Sequence, residues 1–117
     1  ENQVSNYGVI SSKNIDGIEK VDGIVEKPKP ADAPSNLAVF GRYILSKDIF
    51  LNIEQTKPGL NNEIQLTDAI QDLISNQDVF ALEFEGRRFD CGSKEGYISA
   101  IIDRASSIDK YKSIIEK

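Results

Sequence analysis

The sequence predicts an α/β fold, a β-sheet of mixed strand directions flanked by helices. Three observations carry this expectation. Stretches rich in Val, Ile, Tyr and Phe, bounded by Gly, Pro, Asn and Asp, recur over residues 4–45 and 79–90 as strands do. Ile49, Phe50 and Ile53, then Leu66, Ile70, Leu73 and Ile74, then Tyr97, Ile98, Ile101, Ile102 and Ala105, repeat at helical spacing. The 117 residues, 39% hydrophobic and 28% charged, suffice for one small domain or part of a larger one.

The elements follow in order. Val4 to Ser11 reads as a first strand, with Tyr7, Val9 and Ile10 supplying bulk. Asp16-Gly17 is a turn signal, so a hairpin is expected there, and Asp22-Gly23 is a second turn signal. Ile24-Val25-Glu26 is then a short strand ending at Lys27-Pro28-Lys29-Pro30, because each Pro pushes the residue before it towards extended backbone. A loop with Pro34 leads to Leu37 through Leu45, the most apolar strand candidate and the expected centre of the sheet. Ser46 is placed to cap a helix over 47–56 with Ile49, Phe50 and Ile53 buried, which Lys57-Pro58-Gly59 stops. A second helix over 66–75 is expected to bury Leu66, Ile70, Leu73 and Ile74. Phe80 to Glu85 alternates apolar and acidic residues as a half-wet strand does, Gly86 breaks it, and Arg87 to Asp90 reads as another short strand. Gly92 allows a sharp turn and Ser93 can cap a helix from Lys94. The tail repeats the helical pattern with Ile108, Tyr111, Ile114 and Ile115.

Composition excludes several chemistries. The net charge is -5 with no cluster of Lys and Arg, which argues against a nucleic-acid partner or a membrane surface. No apolar run approaches the roughly 20 residues that span a bilayer. The single Cys91 makes no internal disulfide, which fits a reducing, cytoplasmic compartment. With no His there is no Ser-His-Asp set and no partner to activate Cys91 as a nucleophile. Neither a His/Cys metal cluster nor a G-x-x-x-x-G-K-[ST] loop is present. What remains are polar groups beside Gly and Pro, suited to hydroxyls, phosphates and magnesium. The chain contains no Met, and the expectation is that it is the later portion of a longer protein.

Several residues stand out as candidates, the first three with two readings. Asp90, expected at a strand end before a helix, is where ligands of α/β proteins sit and can offer one oxygen to magnesium; it can equally be a capping or salt-bridged acid. Glu26-Lys27 is either a solvated charge pair or a pair in which Glu26 accepts from sugar hydroxyls and Lys27 meets a phosphate. Strand geometry opposes the second reading, since neighbours point to opposite faces, unless the backbone bends before Pro28. Gly8, bare of a side chain, either lets a ligand approach the backbone or sits beside a bulge. Glu63 to Asp68 reads as acids compensating the dipole at a helix start. Arg87 and Arg88 are most simply strand-edge charges.

Taken together, Asn6-Tyr7-Gly8-Val9, Val25-Glu26-Lys27-Pro28 and Pro34-Ser35-Asn36-Leu37-Ala38-Val39 resemble the sugar-phosphate nucleotidyltransferases. Glu63-Ile64-Gln65-Leu66-Thr67-Asp68-Ala69-Ile70 and Phe89-Asp90-Cys91-Gly92-Ser93-Lys94 look like the bacterial branch that transfers uridylyl from UTP to glucose 1-phosphate, giving UDP-glucose and pyrophosphate. The five pieces come in order and cover almost the whole chain. The resemblance implies the C-terminal, sugar-binding half of a Rossmann-like nucleotide-diphospho-sugar transferase fold, spanning 1–117, with the N-terminal nucleotide-binding half absent. Carried over, it makes Lys27 and Asp90 catalytic, with Asp90 a ligand of Mg2+. Gly8, Glu26, Lys27, Asn36 and Val39 become the residues that bind sugar phosphate. It implies UTP and glucose 1-phosphate as partners of the full-length enzyme, and no turnover by this portion alone. Unpaired strand edges further imply a homo-oligomer, with domain swapping open to the fragment. The alternatives are a related transferase with another base or sugar, and a non-catalytic interaction module that keeps the fold.

Overall fold

In the computed structural model, residues 4–115 are described, and the chain divides into two compact units, Glu1–Leu82 and Glu83–Lys117. The first unit is built on a long antiparallel hairpin of β1 (Gly8–Ile15) and β2 (Ile18–Glu26). Asp16 and Gly17 turn it with φ of 52° and 85°, the paired positive values that match the twist of two hairpin strands. The expected first strand thus starts later and runs further, because residues 4–6 form a short 3-10 turn. Asp22-Gly23 is not a turn. Ser11 pairs with Gly23 and Ser12 with Val21, so Asp22 is the extra residue of a bulge inside β2. The Ser11 hydroxyl donates to Asp22 Oδ1 at 2.5 Å and ties the bulge down.

β3 (Ala38–Val39) pairs with β1, and β4 (Val79–Ala81) pairs with β2, giving the order β3-β1-β2-β4. All three pairings among the described strands are antiparallel. The apolar segment 37–45 is therefore not the centre of the sheet. It contributes two residues at an edge, because Gly41 takes φ 91° and leads the chain off the ladder. Beyond it, the Ile44 side chain is fully exposed, at 102%. Ser35 secures this edge: its hydroxyl donates to the Ile10 carbonyl at 2.5 Å and accepts from the Leu37 N–H at 2.9 Å.

Helix α1 (Asp48–Gln55) and helix α2 (Leu66–Ile74) close the first unit's core. Ile10, Val21 and Ile24 of the hairpin pack with Ile49 of α1 and with Ala69, Ile70 and Leu73 of α2. Removing any of the larger of these side chains is expected to cost about 2–5 kcal/mol. β4 reaches only to the level of Val21, and the Ile24 N–H beyond it is met by Gln71 Oε1 of α2 at 2.8 Å. The predicted helix faces are each rotated. Phe50 is 68% exposed rather than buried, and α2 buries Thr67 and Ala69 while Leu66 stays exposed. Ser46 does not cap α1 with its side chain; its hydroxyl is engaged with the Gln77 amide at 3.0 Å instead.

The second unit holds helix α3 (Lys94–Ser106) and helix α4 (Asp109–Ile115). Ser93 caps α3 as expected, accepting from the Gly96 N–H at 3.0 Å. Arg87 to Asp90 is not a strand, so Asp90 does not stand at a strand end. Local bonds win there: Asp90 accepts through Oδ1 from Gly92 N–H and through its carbonyl from Ser93, a turn pattern that competes with a ladder. Among the described residues no helix is long and apolar enough to cross a membrane.

Candidate functional site

Gly8 sits opposite Glu26 of β2 on one side and opposite Val39 of β3 on the other. Directly paired residues share a face, so Val39, Gly8 and Glu26 form a row across three strands at one end of the sheet. A Cβ on Gly8 would stand 2.8 Å from Thr67 Cγ2, 3.4 Å from Glu26 Oε2 and 3.6 Å from Ile24 Cδ1. The row therefore lies under the first turn of α2, and Gly8 is bare because that space is already contested.

Lys27 follows Glu26 and adopts φ 45°, left-handed backbone that non-glycine residues rarely take. Holding it there costs on the order of 1 kcal/mol. The reversal is secured by the Lys27 N–H, which donates to the Tyr7 carbonyl at 2.9 Å, and by the Ser5 hydroxyl, which donates to the Pro28 carbonyl at 3.0 Å. Its effect is to defeat strand alternation. Glu26 and Lys27 point the same way, with Nζ 3.7 Å from Glu26 Oε1. Such a half-exposed pair adds little to stability, about 0–1 kcal/mol. It does place one anion and one cation side by side at a strand end.

Asn36 is exposed, between Ser35 and Leu37 on the β3 side of the sheet, and Val39 is half-buried against the core. Asp90 belongs to the second unit. Its Oδ1 accepts from the Gly92 N–H at 3.0 Å, and its Oδ2 lies 3.7 Å from Arg88 Nη2. The Asp90 carbonyl packs so closely on Gly96 that a Cβ there would be 2.0 Å from the oxygen, so Gly96 helps hold Asp90 in place. Among the described residues no group of three His, Cys, Asp or Glu side chains could hold a metal ion alone. Magnesium needs only one or two carboxylates when phosphates and waters complete its shell, so Asp90 fits as one ligand rather than as a site.

Two further residues lie near the row, neither of them singled out as a site residue from the sequence. Partial desolvation of a phenol whose residue is still 41% exposed, then the negative charge of Glu26, raise Tyr43 above its ordinary value of 10.0, which puts Tyr43 within the field of Glu26. Thr67, read from the sequence only as part of a helix start, is buried beside Gly8. A shallow polar depression of about 400 Å³ between the end of α1 and α2 is lined by Gln55, Thr56, Lys57, Asp68, Gln71 and Asp72 and contains none of the predicted site residues.

The family model described as nucleotidyl transferase matches residues 1–107. The chain belongs to the nucleotidyl transferase family. Within this family it is 56% identical over 99 residues to the UTP–glucose-1-phosphate uridylyltransferase of Pseudomonas aeruginosa, covering 84% of this chain and 36% of that protein. It is 51% identical over 104 residues to UTP–glucose-1-phosphate uridylyltransferase 2 of Streptococcus pyogenes, covering 87% and 35%. A crystal structure of UDP-glucose pyrophosphorylase complexed with UDP-glucose superposes with a TM-score of 0.85 at 48% identity, covering 92% of this chain and 41% of that one. The UTP-bound enzyme of Acinetobacter baumannii superposes with a TM-score of 0.78 at 39% identity, covering 98% and 40%. The chain thus spans a little over one third of the length of these curated family members.

Proposed function

We propose that this chain is the sugar-phosphate-binding part of a UTP–glucose-1-phosphate uridylyltransferase. The observation that carries the reading is the convergence of Glu26 and Lys27 beside Gly8, with Nζ 3.7 Å from the carboxylate. A carboxylate accepts hydrogen bonds from vicinal sugar hydroxyls, and an ammonium next to it pairs with a phosphate on the same ring. Gly8 keeps a side chain out of the row between Glu26 and Val39, and Asn36 lies on the same β3 side. The names of the relatives, at 51–56% identity, support UTP and glucose 1-phosphate as the substrates.

Mechanistically, a phosphate oxygen of the sugar attacks the α-phosphorus of UTP in line, the new P–O bond forms, and pyrophosphate leaves with the bonding pair. This chain's part is to orient the attacking phosphate. Lys27 holds it and offsets its charge, while Glu26 fixes the ring so that one oxygen faces the nucleotide. Asp90 would supply one oxygen ligand to Mg2+, which when bound would neutralise phosphate charge. UTP is bound by residues outside this chain, and a cytoplasmic setting accords with Cys91 as an exposed, unpaired thiol.

The test is pyrophosphate release by the complete polypeptide from UTP and glucose 1-phosphate. Lys27→Ala and Asp90→Ala are each expected to lower kcat/KM by about 100-fold or more, since each removes a charge that would stabilise the transferring phosphoryl group. Turnover untouched by both would make the chain a non-catalytic module. dTTP used as well as UTP would assign it to another base, and the 117 residues alone are expected to stay at background.

A further inference from the structure

We infer that Thr67 is a positioning residue for the sugar-binding carboxylate, its hydroxyl held in reserve for Glu26; this rests on the sugar-phosphate reading above. Thr67 lies in the first turn of α2 and is 7% exposed. Among the described residues, its Oγ1 is the one buried side-chain polar atom with no hydrogen-bond partner. A buried hydroxyl without a partner is a cost that Val, with nearly the same shape, would avoid. Such an orphan in an otherwise satisfied core calls for a role elsewhere.

The geometry supplies the role. Thr67 Cγ2 and Glu26 Oε2 border the same point over Gly8, at 2.8 Å and 3.4 Å from where a Cβ would stand. The methyl, not the hydroxyl, now faces that space. A threonine in a helix has two accessible χ1 wells, and rotation about χ1 turns the hydroxyl into the direction the methyl held while the methyl takes that of the Cβ hydrogen. Rotation of χ1 brings Oγ1 to the Gly8 side, where it donates to Glu26 Oε2. The carboxylate then keeps Oε1 free for the ligand. Glu26 is fixed in orientation as the sugar arrives, and the orphan hydroxyl is satisfied in the same movement. Gly8 is the condition for this rotation, since a side chain there would crowd Thr67.

The experiment uses the complete polypeptide, with thermal melting and steady-state kinetics on Thr67→Val, Thr67→Ser and Glu26→Gln. Thr67→Val is expected to melt at or above the wild-type temperature while its KM for glucose 1-phosphate rises about tenfold with kcat within threefold. Thr67→Ser is expected to keep KM within twofold. A Thr67→Val protein that melts well below wild type has lost a hydroxyl bonded in the resting state, which overturns the inference. So does an unchanged KM in Thr67→Val, or an equal rise in Thr67→Ser, which would trace the effect to the methyl. Glu26→Gln separates the two levels: if it too leaves KM unchanged, the sugar-phosphate reading falls and this inference with it. If Glu26→Gln raises KM and Thr67→Val does not, only the inference falls.

Discussion

Gly8→Ala is the sharpest probe of the row across the sheet. The added methyl would sit 2.8 Å from Thr67 Cγ2, inside the distance that real Cβ atoms keep, and 3.4 Å from Glu26 Oε2. The helix backbone behind Thr67 cannot back away. Thr67 is buried in the first turn of a helix whose Ala69, Ile70 and Leu73 are locked in the core. Overpacking of this kind costs about 1–3 kcal/mol. Gly8 has no positive φ, so Ala loses nothing in backbone strain and gains roughly 0.4–1 kcal/mol by restricting the unfolded chain. The net loss is about 1–2 kcal/mol, which for a unit of this size lowers Tm by roughly 5–10 °C. Circular dichroism melts of the 117-residue chain read this directly. The double variant Gly8→Ala/Thr67→Ser removes Cγ2 and should recover most of the loss, so the two changes are strongly non-additive. A Gly8→Ala chain that melts at the wild-type temperature, or a double variant that recovers nothing, would refute the close approach.

Two further predictions concern charge and surface. The Tyr43 phenol is raised above 10.0, by partial desolvation and then by Glu26, so the ultraviolet difference between wild type and Tyr43→Phe should have its midpoint above that pH, and Glu26→Gln should bring the midpoint down. Because the folded value is raised, the associated stability is full below pH 10 and is lost as pH climbs through the folded value; a Tyr43 that ionises below 10 contradicts this. Tyr97, Ile98, Ile101 and Ile102 of α3 are each about half exposed, so we propose that copies of the chain associate, and light scattering should show a mass above 13.0 kDa that falls on dilution. A sharp monomer at high concentration would count against it.

The hairpin was legible because Asp16-Gly17 demands two positive φ values, and few other local structures use that dipeptide so well. Asp22-Gly23 has the same kind of composition but forms a bulge, since what decides is whether the partner strand continues past it, and Ser11 and Ser12 do. Residues 37–45 misled for a similar reason: apolar content reports burial or contact, not rank within a sheet. Glu26 and Lys27 were legible as a pair only through the resemblance of Val25-Glu26-Lys27-Pro28 to a family. Strand periodicity alone argued against their meeting, and a single left-handed residue reversed that argument. Tyr43 was silent and Thr67 stood out only inside the family-like run 63–70, because their proximity to Glu26 and Gly8 depends on where an edge segment and a helix fold back. Asp90 was visible as a carboxylate before a helix, but its turn is set by bonds to Gly92 and Ser93 that sequence spacing permits without requiring.

The unusual backbone at Lys27 makes its ammonium dependent on a few residues at the head of the chain. Tyr7 and Ser5 act as a latch, gripping the Lys27 N–H and the Pro28 carbonyl from outside the hairpin. A polypeptide trimmed to start at Gly8 would keep every rung between β1 and β2 yet release that latch. Its lysine would relax into ordinary extended geometry and swing away from Glu26. The aim of the cation is thus inherited from a tether that no inspection of the two long strands would credit.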